Sequence, residues 1–459
     1  MDVLIAGAGP TGLTLAIELQ RRGVTHRIVE AAPEPFQGSR GKGLQPRTLE
    51  VLDDLGVLDR FLAGGADYPM LRIHRPDGQE LDWSMAERRD PTPDVPHPNS
   101  WMVPQWRTGE LLAARLEELG GKIEYGVGVT ALDGTTATLS TGETVTARYV
   151  VGADGGRSTI RRAIGVGFEG ETFETQTMLI ADVRLTGLSR DVWHMWPGPD
   201  GRTPLLGLCP LPGTDLWQLT APAEQSPEKI VAEVAPQVTL TDVGWTSQFR
   251  ANMRMVDHYR VGNVFLAGDA AHVHSPAGGQ GLNTGIQDAY NLGWKLATGN
   301  DALLDTYESE RLPVAAAVLG ISTRLHNKQG KEAAEQAMRR DDPALRQLSL
   351  NYRGGPLAID HRPSPGAVQA GDRAPDAPLG EGVHIFDLLR GPHWTLLAFD
   401  APAPAMPPGV HVVQVEDPDG HAHLSYDIQE PTLILVRPDN YIAAVTSNPA
   451  DLLGFPFLS

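Results

Sequence analysis

Gly7-Ala8-Gly9-Pro10-Thr11-Gly12 is the first stretch whose residue types and spacing suit chemistry. It lies between an apolar run, residues 3–6, and a helical pattern over 11–22. In that setting Gly7 permits a tight turn, Gly9 lets the backbone approach a pyrophosphate, and Gly12 lets helix and strand pack closely. A helix that begins there offers free N–H groups and the positive end of its dipole to phosphate. Glu30 ends the next apolar run, about 20 residues further on, where an acid accepts hydrogen bonds from a ribose diol. An acid at that place favours an unphosphorylated ribose, so the expected resident nucleotide is FAD or NAD rather than NADP.

The second stretch, Val264-Phe265-Leu266-Ala267-Gly268-Asp269-Ala270-Ala271-His272, runs a strand into a carboxylate. Pro276-Ala277-Gly278-Gly279-Gln280-Gly281-Leu282-Asn283 then exposes backbone ahead of a helix. Asp269 suits a polyol, and the N–H groups of the loop and helix start suit an anion developing on a ring carbonyl. Read alone, this stretch is a turn and a helix cap. The third, Val150-Val151-Gly152-Ala153-Asp154-Gly155-Gly156-Arg157-Ser158, again runs a strand into Asp-Gly, with Arg161 and Arg162 following. Alone it is a turn followed by a solvated helix face. His272 and His274, at i, i+2, lack a third ligand, so no metal is expected, and no side chain presents itself as a catalytic base.

In this order the three stretches resemble the single-component flavoprotein monooxygenases of the aromatic hydroxylase family, over residues 1 to about 350. The resemblance implies roles for individual residues. Thr11 and Glu30, with Ala31 beside it, would hold the ADP portion of FAD, and Val129 would meet adenine through its backbone. Arg40 would meet the pyrophosphate, Gln105 the flavin chain and Asp269 the ribityl, while Asp154 would support the dinucleotide. Leu282 and Asn283 would line the isoalloxazine, with Gly281 opening their helix and Pro276 and Gly278 beside the reactive edge of the ring. The implied cycle has NADPH or NADH, as a transient cosubstrate, reduce FAD. O2 then adds to give a flavin C4a-hydroperoxide whose distal oxygen passes to an electron-rich ring. Such chemistry needs a dry chamber. Trp193, Trp196 and Trp217 are candidates to pack on a flat polycyclic substrate there, or to fill their own lobe's core.

Tyr307-Glu308-Ser309-Glu310-Arg311 and Asn351-Tyr352-Arg353-Gly354-Gly355 look like the actinobacterial polyketide hydroxylases within this family. Residues 371–459 resemble the thioredoxin-like domain that many members append. This one has no cysteine, so a structural or subunit-contact role is expected instead of a redox one. Oxidation of a rifamycin-like naphthol, a flavin-dependent reductase and a catalytically silent flavin-binding partner are the alternatives.

The elements needed to position these residues are an α/β arrangement. It comprises a Rossmann-like FAD-binding domain (1–68, 104–171 and 262–350), an inserted antiparallel-sheet substrate domain (69–103 and 172–261) and the small C-terminal domain. Helices are expected over 46–63, 107–119 and 286–297, ending at Gly299, and a hairpin across Pro76-Asp77-Gly78. Strands are expected at 122–129, 136–139, 144–151 and 177–221 and, near the C-terminus, at 394–400, 409–417 and 431–445. Residues 355–380 read as a linker.

Composition narrows the partners. With 38 Lys+Arg against 57 Asp+Glu the net charge is −19, which argues against nucleic acid or an anionic membrane surface. The 50 glycines and 37 prolines stay below the ~25–30 % that marks low complexity. One cysteine, Cys209, excludes an internal disulfide or a dithiol centre. The glycine-broken start has neither a basic n-region nor ~20 uninterrupted apolar residues. A cytoplasmic monomer or homodimer acting on a small aromatic molecule is expected.

Overall fold

A computed structural model describes residues 1–201, 203–275, 278–328 and 340–455. Its first sheet has six strands in the order Arg260–Val261, Val264–Leu266, Tyr149–Gly152, Val3–Ala6, His26–Glu30 and Ile123–Tyr125. All neighbours are parallel except the outermost Arg260–Val261. Val3, Leu4 and Ile5 are fully buried, as a parallel strand covered by helices on both faces requires. The register pairs Ala6 with Gly152 and Gly152 with Leu266, so three neighbouring strands end level. The glycine loop, the Asp154 loop and the Asp269 loop therefore leave the same sheet edge side by side. This is the carboxyl edge at which α/β sheets bind ligands.

The second sheet has eight strands, in the order His272–Val273, Thr239–Val256, Phe168–Thr186, Trp217–Pro222, Pro204–Pro210, Val192–Pro197, Met70–His74 and Glu80–Trp83. The expected hairpin is its far edge, and Met70–His74 runs parallel to Val192–Pro197. His272–Val273 pairs with Thr239–Val256, so the chain leaving the Asp269 loop enters the second sheet and ties the two together.

A third sheet, Ile359–Asp360, Ile442–Thr446, Thr432–Val436, Trp394–Phe399 and Val410–Gln414, forms the C-terminal domain. One of its cores takes in Trp294 and Leu303 from helices of the first lobe.

Five expectations need correction. The strand at 431–445 is two antiparallel ones, Thr432–Val436 and Ile442–Thr446, with Asn440 at φ 60° in the turn between them. The helix at 46–63 is two, Pro46–Asp54 and Leu58–Ala63, because Gly56 turns the chain at φ 72°. The strand at 122–129 is likewise two: Ile123–Tyr125 joins the first sheet, and Val129–Asp133 starts a separate three-stranded one. The strand at 144–151 is also split between those sheets, into Thr144–Thr146 and Tyr149–Gly152. The linker at 355–380 is not free, since Ile359–Asp360 pairs with Ile442–Thr446 and Leu357 is buried. Among the described residues no helix is long and apolar enough to cross a membrane.

Candidate active site

A cleft of about 1830 Å³ opens between the carboxyl edge of the first sheet and the face of the second. Helix Pro10–Arg21 begins on it at Gly9, with no side-chain cap, and helix Gly281–Thr298 begins on it at Gln280, again uncapped. Two sets of first-turn N–H groups thus face one space. The loops around them leave no room for side chains. A Cβ on Gly12 would overlap the Gly7 carbonyl oxygen, and one on Gly7, at φ 103°, would overlap that of Ala153. Thr11 packs so closely on Gly268 and Gly285 that neither tolerates a Cβ. A backbone cradle at two helix N-termini, with carboxylates at its rim, fits a dinucleotide.

The residues singled out in the sequence fall into three groups. Gly9, Thr11, Arg40, Gln105, Asp154, Asp269, Gly278, Gly281 and Leu282 line the cleft. Gln105 Oε1 accepts from the Gly41 N–H at 2.9 Å, and Arg40 reaches Ser247 Oγ at 3.2 Å. Asp269 lies at the mouth of its strand, where surrounding protein raises its carboxyl pKa against the pull of His272 and Arg40. Asp154 caps the helix Thr159–Ala163, accepting from Ser158 Oγ at 2.5 Å and the Thr159 and Ile160 N–H groups at 2.6 and 3.2 Å.

The second group sits away from the cleft wall. Glu30 accepts from the Ala8 and Ala32 N–H groups at 2.8 and 2.9 Å. The turn leading into Val129 lies against it, with the Gly126 N–H donating to Ala32 O and Val127 N–H to Glu30 O. Gly128 leaves no room for a Cβ over Ala31. Asn283 is fully buried and joins two loops, donating to Gly43 O and Gly279 O and accepting from the Gln45 N–H. Trp196 and Trp217 are buried in the second lobe's own core, so they do not present a face to a ligand. Only Trp193 of the three tryptophans lines the cleft, with Phe168, Met178 and Ile180. Pro276, the third case, lies outside the described residues.

Two clusters escaped the sequence. Behind the Asp269 loop, His272 Nε2 is 2.7 Å from Asp288, which also accepts from Arg311 Nε at 2.7 Å and the Gly268 N–H at 3.1 Å. Burial works against the Asp288 carboxylate, yet Arg311 and His272 hold its pKa below the usual range. The repeated spacing of polar residues on helix Gly281–Thr298 was the available signal. In the opposite wall, Lys42 Nζ lies 2.5 Å from Gln218 Oε1 and 3.9 Å above the Trp193 ring. Gln218 Nε2 donates to the Ser39 carbonyl oxygen, and Ser39 Oγ donates to Asp182. Nothing in the local sequence around Lys42 marks it, because its surroundings come from strands more than a hundred residues away.

Residues 1–322 match the FAD binding domain family, and residues 367–454 match the aromatic-ring hydroxylase C-terminal family. A flavin-dependent monooxygenase of Mycobacteroides abscessus is 46 % identical, with 99 % of each chain covered. A rifampicin monooxygenase of Streptomyces venezuelae is 40 % identical over 74 % of each chain. The crystal structure of a ternary complex of aklavinone-11 hydroxylase with FAD and aklavinone superposes with a TM-score of 0.82 and 27 % identity, covering 99 % of this chain and 98 % of that one. Matched along both its nucleotide-binding and its C-terminal parts, the chain belongs to the FAD-dependent aromatic-ring hydroxylases, a family of flavoprotein monooxygenases.

Proposed function

We propose that this protein uses NADPH or NADH and O2 to hydroxylate a polycyclic, polyketide-type phenol. The observation that carries the reading is a single cleft. It joins two uncapped helix N-termini and a glycine cradle to an apolar wall of Trp193, Phe168, Met178 and Ile180. Bound FAD supplies the activated oxygen. The chain's own residues hold the FAD, shape the chamber and keep water out.

In this reading the N–H groups at Thr11 and Gly12, with Arg40, hold the pyrophosphate. Glu30, whose carboxylate keeps lone pairs beyond those used by Ala8 and Ala32, takes the ribose diol, with Ala31 and Val129 at the adenine. Gln105 and Asp269 take the flavin chain, and Asp154 holds the loop that faces it. Gly278, Gly281 and Leu282 border the ring, and Asn283 fixes their loop. We assign the three domains the residue ranges given above, which agree with this division of labour.

An aklavinone-type tetracycle is favoured over a rifamycin. The aklavinone enzyme aligns with 99 % of this chain, but a rifampicin monooxygenase of Rhodococcus hoagii aligns with 98 %, so coverage does not separate the two and the preference rests on the wall. A flat wall headed by one indole suits a planar ring system.

The test is NADPH oxidation by the purified protein with and without hydroxylated anthraquinones and a rifamycin. The expected result is stimulation of at least tenfold by a tetracyclic or tricyclic phenol, with a product heavier by one oxygen atom. Oxidation that proceeds equally without O2 indicates a reductase and overturns the proposal. Gly12→Val, which drives a side chain into the Gly7 carbonyl, is expected to purify colourless while keeping its helical content by circular dichroism.

A further inference from the structure

We propose that Lys42 is the substrate-side catalytic residue of the chamber: its side-chain nitrogen takes the proton of an acidic ring hydroxyl and pairs with the phenolate that results. The proposal rests on reading the cleft as a chamber for polycyclic phenols.

The geometry singles out this amine. Arg47, Lys295, Arg311 and Arg437 are buried, and each faces a carboxylate: Glu50 at 2.8 Å, Glu310 at 2.7 Å, Asp288 at 2.7 Å and Glu310 at 2.6 Å. Lys42 has no carboxylate within ion-pair distance among the described residues, and its open side is the cleft. Once protonated, an amine in such a place lacks a counter-ion, and the phenolate formed by the transfer supplies it. Gln218 cannot take that part. Its amide nitrogen is held by Ser39, which fixes its oxygen towards Lys42 and occupies one of the amine's donors. The Trp193 face lies beneath Nζ and also lines the cleft, so a flat ring resting near the indole can bring a hydroxyl to the amine.

The charged and titratable groups around it point the same way. Burial lowers the Lys42 pKa, opposed by the Cys209 thiol and Asp182 of the second sheet. Burial also raises Asp182, to about 6, so the nearest acid is itself a weak one. Tyr68, beyond Gly43, is pushed up by burial and stays a neutral phenol. The transfer balances simply. The ring O–H bond breaks, its proton forms an N–H bond on the neutral amine, and phenolate and ammonium remain as a pair with no change of oxidation state. A phenolate is the more electron-rich ring, which an electrophilic oxygen attacks more readily. General base assistance of this kind contributes ~10²–10⁴-fold.

The probe is alizarin (1,2-dihydroxyanthraquinone), whose ionised form absorbs at longer wavelength than its neutral form, titrated into the FAD-loaded protein from pH 5 to 9. The expected result is that bound alizarin ionises at least one pH unit below free alizarin, a tenfold bias. Lys42→Arg should retain the shift. Lys42→Met and Lys42→Gln should lose it while keeping their flavin and their melting temperature. Binding with ionisation at the same pH in wild type and in both uncharged variants overturns the role of Lys42 and leaves the hydroxylase reading standing. If neither alizarin, 1-hydroxyanthraquinone nor juglone perturbs the flavin spectrum or NADPH oxidation, the polycyclic-phenol reading fails, and the proposal fails with it.

Discussion

Lys295 is fully buried and Lys42 is half-buried in the cleft wall, and the fold treats the two in opposite ways. Lys295, on the helix that starts at the cleft, sits where the C-terminal domain docks. Its Nζ donates to Glu310 at 2.7 Å and to Asn291 at 2.9 Å, and Arg437 of the C-terminal domain completes the cluster from the other side. Lys42 has an amide, an indole face and an open cleft. Burial depresses both amines, Lys295 to about 8. The difference lies in the counter-ion. Where the protein supplies one, the charge locks two domains together. Where it withholds one, the charge is left for a ligand.

The largest effect that tests this contrast is at Glu310. It is buried between Lys295 and Arg437, so Glu310→Gln leaves Lys295 without its carboxylate and Arg437 with Asp439 alone. Urea unfolding at pH 7 is expected to show a loss of ~3–5 kcal/mol in the transition that releases the C-terminal domain. The pH dependence has a definite sign. Although burial opposes ionisation, Arg437 and Lys295 hold Glu310 down to about 2, against a usual 4.5. The unfolded chain therefore binds the extra proton between these values, and the stabilisation present above pH 4.5 is lost as pH falls towards 2. The gap between wild type and variant should close over that interval. A variant as stable as wild type at pH 7 would remove the docking role of the cluster.

The contrast was only half legible in the sequence. Runs such as Val3–Ala6 and the amphipathic pattern before Gly299 announced the first lobe, because parallel strands and packed helices carry continuous or 3.6-residue apolar periods. The three loops were legible for the same reason, each standing where a strand ends. The long strands Phe168–Thr186 and Thr239–Val256 were less so. Charged residues such as Glu169, Glu171 and Asp242 interrupt their apolar pattern on the solvent side. Trp196 and Trp217 have the residue type of a substrate wall but turn into the core, and alternation alone cannot say which face of a sheet meets which neighbour. Lys42 and Glu310 owe their meaning entirely to residues brought from elsewhere in the chain.

Asp182 sharpens the comparison from the cleft side, with a smaller effect of opposite sign. Its Oδ1 accepts from Ser39, while Oδ2 is buried and has no partner among the described residues. Burial raises its pKa from 3.8 to about 6, so the folded protein binds the extra proton between those values. Stability on this account falls as pH rises through the window, the reverse of Glu310. Asp182→Asn, which keeps the acceptor for Ser39 but has no charge to bury, is expected to unfold at higher urea than wild type above pH 6. The gain should be ~1–2 kcal/mol, and the two proteins should coincide near pH 4. A destabilised variant at pH 7 would mean that Asp182 acts as the counter-ion of Lys42 after all.

The smallest effect belongs to Arg390, on the outer rim of the C-terminal docking surface. It reaches Asp53 at 2.8 Å, but its side chain is 42 % exposed and Asp53 25 %. Water screens both charges there, and holding a long side chain in one geometry offsets much of the attraction, so such pairs contribute ~0–1 kcal/mol. Burial also raises the Asp53 pKa despite the Arg390 charge beside it, which marks the pair as a weak one. Arg390→Ala is therefore expected to lower stability by ~0.5 kcal/mol or less at low salt, and by nothing measurable in 0.5 M NaCl. Glu310→Gln should keep most of its penalty in that salt, because no solvent reaches its partners. If the rim pair proves as costly to break as the buried cluster, docking is held by the whole charged face, and the distinction between the two lysines loses its basis in burial.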